Sequence, residues 1–352
     1  MIGMKLLAVS THALLEAMRL SVMKAQSRLA AAQKEVTTGR HADVGLSLGF
    51  RAGHTVSLRS EHARLTTILD SNAVAKTRLS ATQNVLESLA ADAESFLGDL
   101  IASRDSDMGP EVLVAEARSR LTSLINAINT VVEGVHIFGG INTGTAPLAH
   151  YFSDPPPPSR QAVANAFLSA FGISQSDPAV VNISAEDMQA FLDGAFSALT
   201  DEAAWLADWS KASNQNMTSR ISKNEVIETS VSANAEPIRK LVSAYVMVAD
   251  LGAENLNESA FHAIVDTAVK TVGAAIQGLT ALRTTLGIAE ERIAAANERM
   301  TIQMDVLANH IVNLEAVDPY EASIRVTSLL TQIETAYALT ARLQEMSLVH
   351  HL

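Results

Sequence analysis

The chain has 352 residues, 48% of them apolar, with aromatic residues at only 4%. That balance suits helices packed by Ala, Leu, Ile and Val better than a β-rich enzyme with aromatic pockets. Cysteine is absent, which excludes disulfides, thiolate metal sites and a cysteine nucleophile. The net charge of -12, with no run of Lys or Arg, argues against nucleic acid and against an anionic membrane surface as partners.

Near the start, Lys5 precedes Leu6-Leu7-Ala8-Val9, but Ser10, Thr11 and His12 interrupt the apolar run, and Glu16 and Arg19 follow. Neither a cleavable signal peptide nor a membrane-inserted segment is expected. The first predicted element is a helix over 11–38. Its apolar residues fall at Leu15, Met18, Val22, Ala25, Leu29, Ala32 and Val36, an alternating three-and-four spacing that makes one narrow seam. Gly39 is its expected stop, and 40–50, with Gly45 and Gly49, reads as a loop.

A second, much longer helix begins near Leu58. Leu58, Leu65, Leu79, Leu86 and Leu100 share one heptad position with Asn72 and Ala93, and Ile68, Ala75, Thr82, Leu89 and Phe96 form the companion seam. Asn72 admits two readings: it sets register against a partner helix, or it faces solvent. Asp107, Gly109 and Pro110 break this helix. An amphipathic run from Glu111 through Val114, Leu121, Leu124, Ile128 and Val131 then completes a helical hairpin.

The middle of the chain has a different texture. Gly139-Gly140 and the four prolines 155–158 mark loops, the prolines favouring an extended stretch. Residues 162–170 and 185–199 are predicted helical. Met217, Ser219 and Ile221, then Ile227, Thr229 and Val231, alternate with polar residues around Lys223-Asn224-Glu225, which predicts a β-hairpin. A helix over 237–250 follows. Towards the end, Ile293, Ala296, Met300, Met304, Leu307, Ile311 and Leu314 repeat the heptad spacing. Asp318-Pro319 interrupts it, and it resumes through Ala322, Val326, Leu329, Ile333, Ala336, Leu343 and Met346.

The expected fold is therefore mainly α: a long antiparallel helical bundle or coiled coil formed by both termini, with a smaller α+β domain inserted. The expected boundaries are an N-terminal helical core arm over 1–148, the inserted domain over 149–235, and a C-terminal helical core arm over 236–352. Amphipathic helices must bury their apolar stripes, and here stripes occupy both ends, where most domains fray. Either the two ends pair with each other, or each packs on neighbouring subunits. In both cases the stripes point to assembly. Leu15, Met18, Val22, Leu29, Ile311, Leu314, Val326, Leu329, Ile333 and Leu343 are the candidate assembly interface.

No constellation for catalysis stands out, and neither a metal nor an organic cofactor is expected. Gly139-Gly140-Ile141-Asn142-Thr143-Gly144 lacks the Lys of a phosphate loop and reads as a turn. His350-His351 are adjacent and would point in different directions on a helix. His310 reads as a flank of the C-terminal seam. Asp92 with Glu94, and Glu290-Glu291, read as solvated helix faces, and Met300 and Met304 as core. Trp205 and Trp209 either form the core of the inserted domain or anchor a partner.

Particular residues at the two ends carry a family resemblance. Val9-Ser10-Thr11 and the run Glu35-Val36-Thr37-Thr38-Gly39-Arg40 resemble the N-terminal helix and following loop of the flagellin family. Asn313-Leu314-Glu315, Glu334-Thr335-Ala336-Tyr337-Ala338, Thr340-Ala341-Arg342 and the ending Ser347-Leu348-Val349-His350-His351-Leu352 resemble that family's hook-associated proteins, which form the hook–filament junction. Ile137-Phe138-Gly139-Gly140-Ile141-Asn142-Thr143 resembles the junction group's motif after the second core helix. The loop 40–49 lacks the group's paired aspartates and proline, and His350-His351 stand where Asn-Tyr is usual, so the chain reads as a divergent member.

The resemblance implies a non-enzymatic structural component of the bacterial flagellum, exported by the flagellar type III apparatus, with the inserted domain facing outward. Its implied partners are other copies of itself, the adjoining hook-associated protein, flagellin and an export chaperone. The alternatives are a filament-forming flagellin, a secreted coiled-coil adhesin, and an enzyme displayed on a flagellar scaffold.

Overall fold

The computed structural model describes residues 11–105 and 109–349, without the side chains of Thr11, His12, Leu15, Asp105 and of residues 343–349. In chain order the elements are α1 (Thr11–Thr38), α2 (Val44–Leu48), α3 (Ala52–Asp105), α4 (Pro110–Ile128), β1 (Val131–Val132), β2 (Val135–His136) and α5 (Pro158–Phe171). There follow α6 (Ala185–Phe191), α7 (Glu202–Ala204), β3 (Thr218–Ser222), β4 (Glu225–Glu228), α8 (Glu236–Asp250), α9 (Glu258–Glu315) and α10 (Pro319–Val349). The fold is mainly α, as the periodicities require, with two small antiparallel sheets. The chain forms two compact units, one of residues 1–66 with 301–352 and one of residues 67–300.

In the larger unit, α3 and α9 run antiparallel. Arg104 pairs with Asp266 at 3.2 Å, Glu87 with Arg283 at 3.3 Å, and Ser80 donates to Glu290 at 3.2 Å, in opposite order along the two helices. The seams read from the sequence are the buried ones: Leu79, Leu86, Ala93, Leu100, Ala75, Thr82, Leu89 and Phe96 are all inaccessible or nearly so. Asn72 occupies its heptad position fully buried. Its Nδ2 donates to Asn297 Oδ1 at 2.7 Å and to the carbonyl of Ile221 at 3.0 Å. Of its two readings, the structure supports register, because a slip of one turn would bury the amide without these partners.

Helix α4 folds back on α3 through Arg120, which reaches Asp92 at 2.7 Å, Asp99 at 3.0 Å and Glu116, with its guanidinium 5.6 Å from the Phe96 ring. Gly109 precedes Pro110 at the first helical position, where the missing N–H costs nothing. Helix α8 completes this core, Tyr245 meeting Phe96 edge to face at 5.1 Å. At Gly278 of α9, an added Cβ would lie 2.4 Å from a Pro237 side-chain carbon, so only glycine permits this approach of α8. Gly278→Ala is expected to lower stability by about 1–3 kcal/mol through overpacking, read as a lower midpoint in urea unfolding.

Between α4 and α8 the packing is built on aromatics. Trp205 stacks on Trp209 at 5.3 Å, Trp209 on Tyr151 at 5.6 Å, and Phe167, Phe171, Phe191 and Phe196 form a neighbouring cluster. Trp205 is fully buried and its Nε1 donates to Asn234 Oδ1 at 3.0 Å. Of the two readings of the tryptophans, core is the one realised. The hairpin β3–β4 has Ile221, Ile227, Thr229 and Val231 buried, and the Ser219 and Thr229 hydroxyls lie 2.9 Å apart.

Three local expectations need correction. The run placed through Val131 ends at Ile128, because Glu133 (φ 51°) and Gly134 (φ 81°) turn the chain into the β1–β2 hairpin and leave Val131 half-exposed. Pro157 is extended (φ -70°, ψ 164°), but Pro158 opens α5 instead of prolonging the extended stretch. The loop predicted over 40–50 contains α2, capped by Asp43 Oδ1 accepting from the Leu46 N–H at 2.9 Å, and a 3₁₀ turn over Gly49–Arg51.

Candidate assembly surface

The smaller unit pairs the two ends of the chain. Helices α1 and α10 pack antiparallel, as shown by Gln26 Nε2 donating to the Tyr337 hydroxyl at 2.9 Å and by Arg325 pairing with Glu35 at 3.4 Å. Of the two arrangements open to the terminal stripes, pairing within the chain is thus realised. On α1 the sheltered positions are Met18, Val22, Ala25, Leu29 and Ala32, and on α10 Ala322, Val326, Leu329, Ile333 and Ala336. Both sets follow the predicted heptad spacing.

Among the candidate interface residues, Val22, Ile311 and Ile333 are buried, while Met18, Leu29, Leu314, Val326 and Leu329 are half-buried. The side chains of Leu15 and Leu343 lie outside the described residues, as do His350 and His351. Ile311 and Leu314 belong to α9, and Ile311 lines a groove with Arg40, Arg59 and His62. Val36, expected on the seam of α1, is exposed; the buried residue there is Glu35.

That exchange marks a polar joint. Gly39, in the left-handed conformation (φ 65°), ends α1 with its N–H on the Glu35 carbonyl at 2.8 Å. The chain then pairs with the α9–α10 link: His41 N–H donates to the Glu315 carbonyl and Val317 N–H to the Gly39 carbonyl, both at 3.0 Å. Asp318 and Pro319 start α10, with Asp318 Oδ1 accepting from the Tyr320 N–H at 2.8 Å. Glu35 Oε1 accepts from the Ala42 N–H at 3.2 Å.

Glu315, fully buried, is held by Arg59 in a two-pronged pair, Nε to Oε1 at 2.9 Å and Nη2 to Oε2, with Arg40 at 3.7 Å. Hydrogen bonding by Arg59 keeps the Glu315 carboxyl below the usual glutamate range, against the opposing effect of burial. A depressed folded-state value stabilises above the unfolded value of about 4.3, and that contribution disappears as pH falls through the folded value. Glu315→Gln is therefore expected to reduce stability at pH 7 and to narrow its deficit below about pH 4, measured by thermal unfolding across pH. Sequence reasoning did not single out this joint, because Glu35 and Glu315 each stand one residue off the predicted seams, beside Val36 and Leu314, where the spacing calls for no buried side chain.

The outward faces of this unit are unusually apolar. Leu20, Met23, Leu46, Phe50, Val56, Ile302, Val306, Tyr320, Ile324, Tyr337 and Leu339 are all exposed, and most of the exposed large apolar side chains among the described residues lie in this smaller unit. Concentrated exposed apolar side chains of this kind are typical of interaction surfaces.

The larger unit has a polar depression of about 380 Å³ that includes Arg118, Arg160, Asp250 and Glu254. Arg160 pairs with Asp250 at 3.5 Å and Tyr151 donates to Asp250 at 3.0 Å. Burial pushes the Asp250 carboxyl above its usual range, opposed by Arg160. No nucleophile–base pair lies in that lining. Asp92, read as part of a solvated face, is an ion-pair partner of Arg120, and Glu290 accepts from Ser80. Met300 is buried as expected, and His310 is exposed. Gly139-Gly140 is a turn: Gly140 (φ 60°) leaves no room for a Cβ, which would meet the Ser213 carbonyl at 2.5 Å. Among the described residues no group of three His, Asp or Glu side chains is placed to hold a metal, and no helix is long and apolar enough to cross a membrane.

Comparison with known proteins agrees with this arrangement of paired ends. The family model of the bacterial flagellin N-terminal helical region matches residues 9–143, and that of the bacterial flagellin C-terminal helical region matches residues 269–352. No curated protein sequence matches the chain. A solved structure from Vibrio parahaemolyticus, assigned to a flagellar hook-associated protein, superposes with a TM-score of 0.52 at 11% identity, over 75% of this chain and 97% of that one. At that identity the likeness speaks for the fold alone. The two terminal regions matched by the family models meet in the α1–α10 pair and between them take up more than half of the sequence. The chain belongs to the flagellin family, whose members are structural and assemble into polymers of themselves, and it is a structural component of the bacterial flagellum.

Proposed function

We propose that this protein is the hook-associated subunit that joins hook to filament, exported by the flagellar type III apparatus and assembled through its terminal helices. The observation that carries assembly is the smaller unit's apolar outer surface around the α1–α10 pair. The junction role draws on the ending 347–352, which resembles the junction group more than filament subunits, and on the likeness in fold to a structure assigned to a hook-associated protein. In this reading the seam residues Met18, Val22, Leu29, Val326, Leu329 and Ile333, with Leu15 and Leu343, set the α1–α10 pair. Ile311 and Leu314 set its joint with α9. The paired ends then stack on axial neighbours, the adjoining hook-associated protein and flagellin, and an export chaperone shields them beforehand. The inserted segment 149–235 faces outward between the helical arms 1–148 and 236–352.

A second reading, a filament-forming flagellin, is favoured by the match of both ends to flagellin regions. One experiment separates the two. In cells deleted for this gene, electron microscopy should show bare hooks, with free flagellin shed into the medium. Absent filaments without shed flagellin would instead identify the filament subunit. Normal appendages, with no second copy of the gene, would overturn both.

A further inference from the structure

The segment between α1 and α3 carries the two most exposed large apolar side chains among the described residues, Leu46 at 84% and Phe50 at 91%. Yet it is not a loose loop. Asp43 caps α2, the Ser47 N–H donates to the Asp43 carbonyl at 3.0 Å, and Lys34 Nζ ties the Ala42 carbonyl to α1 at 3.0 Å. The Arg51 guanidinium lies 5.7 Å from the centre of the Phe50 ring. A large aromatic held out in water on a fixed backbone is the form taken by anchors at the centre of protein interfaces.

The same unit carries a groove of about 300 Å³ lined by Arg40, Arg59, His62, Ala308, Ile311 and Val312. Its floor is apolar, with Ile311 buried and Val312 half-exposed. Two guanidiniums rim it, each with about half of its side chain exposed. Glu315 holds the Arg59 guanidinium in place by its paired hydrogen bonds. An apolar slot with fixed, partly desolvated cations at its edge accepts a flat aromatic ring, whose electron-rich face meets the guanidiniums. Phe50 of the same chain, being almost wholly exposed, does not occupy it.

We propose that Phe50 of one copy seats in the Arg40–Arg59 groove of the next copy, with Leu46 beside it. Knob and groove lie on one unit, so every copy offers one of each. Repeated in one direction from copy to copy, the contact is head-to-tail and propagates into a ring or a helix according to the rotation between copies, whereas a reciprocal two-fold pair would stop at a dimer. The occupant is a second copy because the family assembles into polymers of itself. The inference rests on the assembly reading above.

Because the chain has no cysteine, an introduced pair reports without background. Ser47→Cys with Asn309→Cys, both exposed positions, places one thiol beside the knob and one beside the groove. In isolated appendages a short bismaleimide should give a ladder of cross-linked oligomers of this chain, and the control pair Ser47→Cys with Val226→Cys should give none. Phe50→Ala should reduce incorporation about tenfold or more at unchanged export, and Phe50→Tyr should restore it. Appendages that contain the Ser47–Asn309 variant but yield no ladder would overturn the proposal and leave the assembly reading standing. So would Phe50→Ala incorporating like the parent, or cross-links to a different protein only. If the parent chain itself is absent from appendages, the assembly reading fails and this contact with it.

Discussion

Aspartate in place of Leu29 or Leu329 is expected to remove the chain from assembled flagella while leaving its export intact. Both leucines are half-buried at heptad positions of α1 and α10. The seam is built largely from small residues, with Ala25, Ala32 and Ala322 buried beside only Val22 and Ile333 among larger ones. Each large side chain fully buried contributes about 1.5–3 kcal/mol, so a seam with so few of them has little reserve. An unpaired carboxylate forced against it costs several kcal/mol, enough to lower incorporation by a factor of about 100 or more. The measurement is immunoblotting of isolated appendages against culture medium. Leu29→Met and Leu329→Ile, which keep volume, should incorporate normally. If the aspartate variants incorporate as the parent does, the seam assignment is wrong.

Trp205→Ala is expected to be the most destabilising single change in the inserted segment. It removes a fully buried ring from a stack with Trp209 and Tyr151 and leaves Asn234 Oδ1 without its donor. Large-to-small changes of this kind cost about 3–5 kcal/mol. Trp205→Phe keeps most of the apolar volume but not the N–H, so its cost should fall nearer the 1–3 kcal/mol of an unsatisfied buried acceptor. Urea unfolding followed by the signal of the remaining tryptophan measures both. Equal losses for the two variants would mean that the hydrogen bond to Asn234, and not the packing, sets the stability of this core.

Much of this was legible because helices packed by narrow seams announce themselves in spacing. The bounds of α1, the break at Asp318-Pro319 and both seams of α3 follow from three-and-four periodicity and from the chemistry of Gly and Pro. The β3–β4 hairpin was equally plain, because period-two alternation flanked a turn of polar residues. The β1–β2 hairpin was not, because a two-residue strand has no period, and its signal was confined to Glu133-Gly134. The joint at Glu35, Arg59 and Glu315 escaped for another reason. A charged residue one position off the seam reads as solvent-facing until its partner is known, and Arg59 lies 256 positions from Glu315.

Periodicity could say that both ends carry apolar stripes, since the interval between apolar residues is a local property of the chain. It could not say what covers them, because that depends on which surfaces meet after the chain has folded back. Tertiary structure decided this: α10 lies on α1, Asn72 faces Asn297, and Arg59 neutralises a carboxylate buried at the end of α9. It also decided what remains uncovered, Leu46 and Phe50 above all, because exposure is fixed only once every other side chain has taken its place.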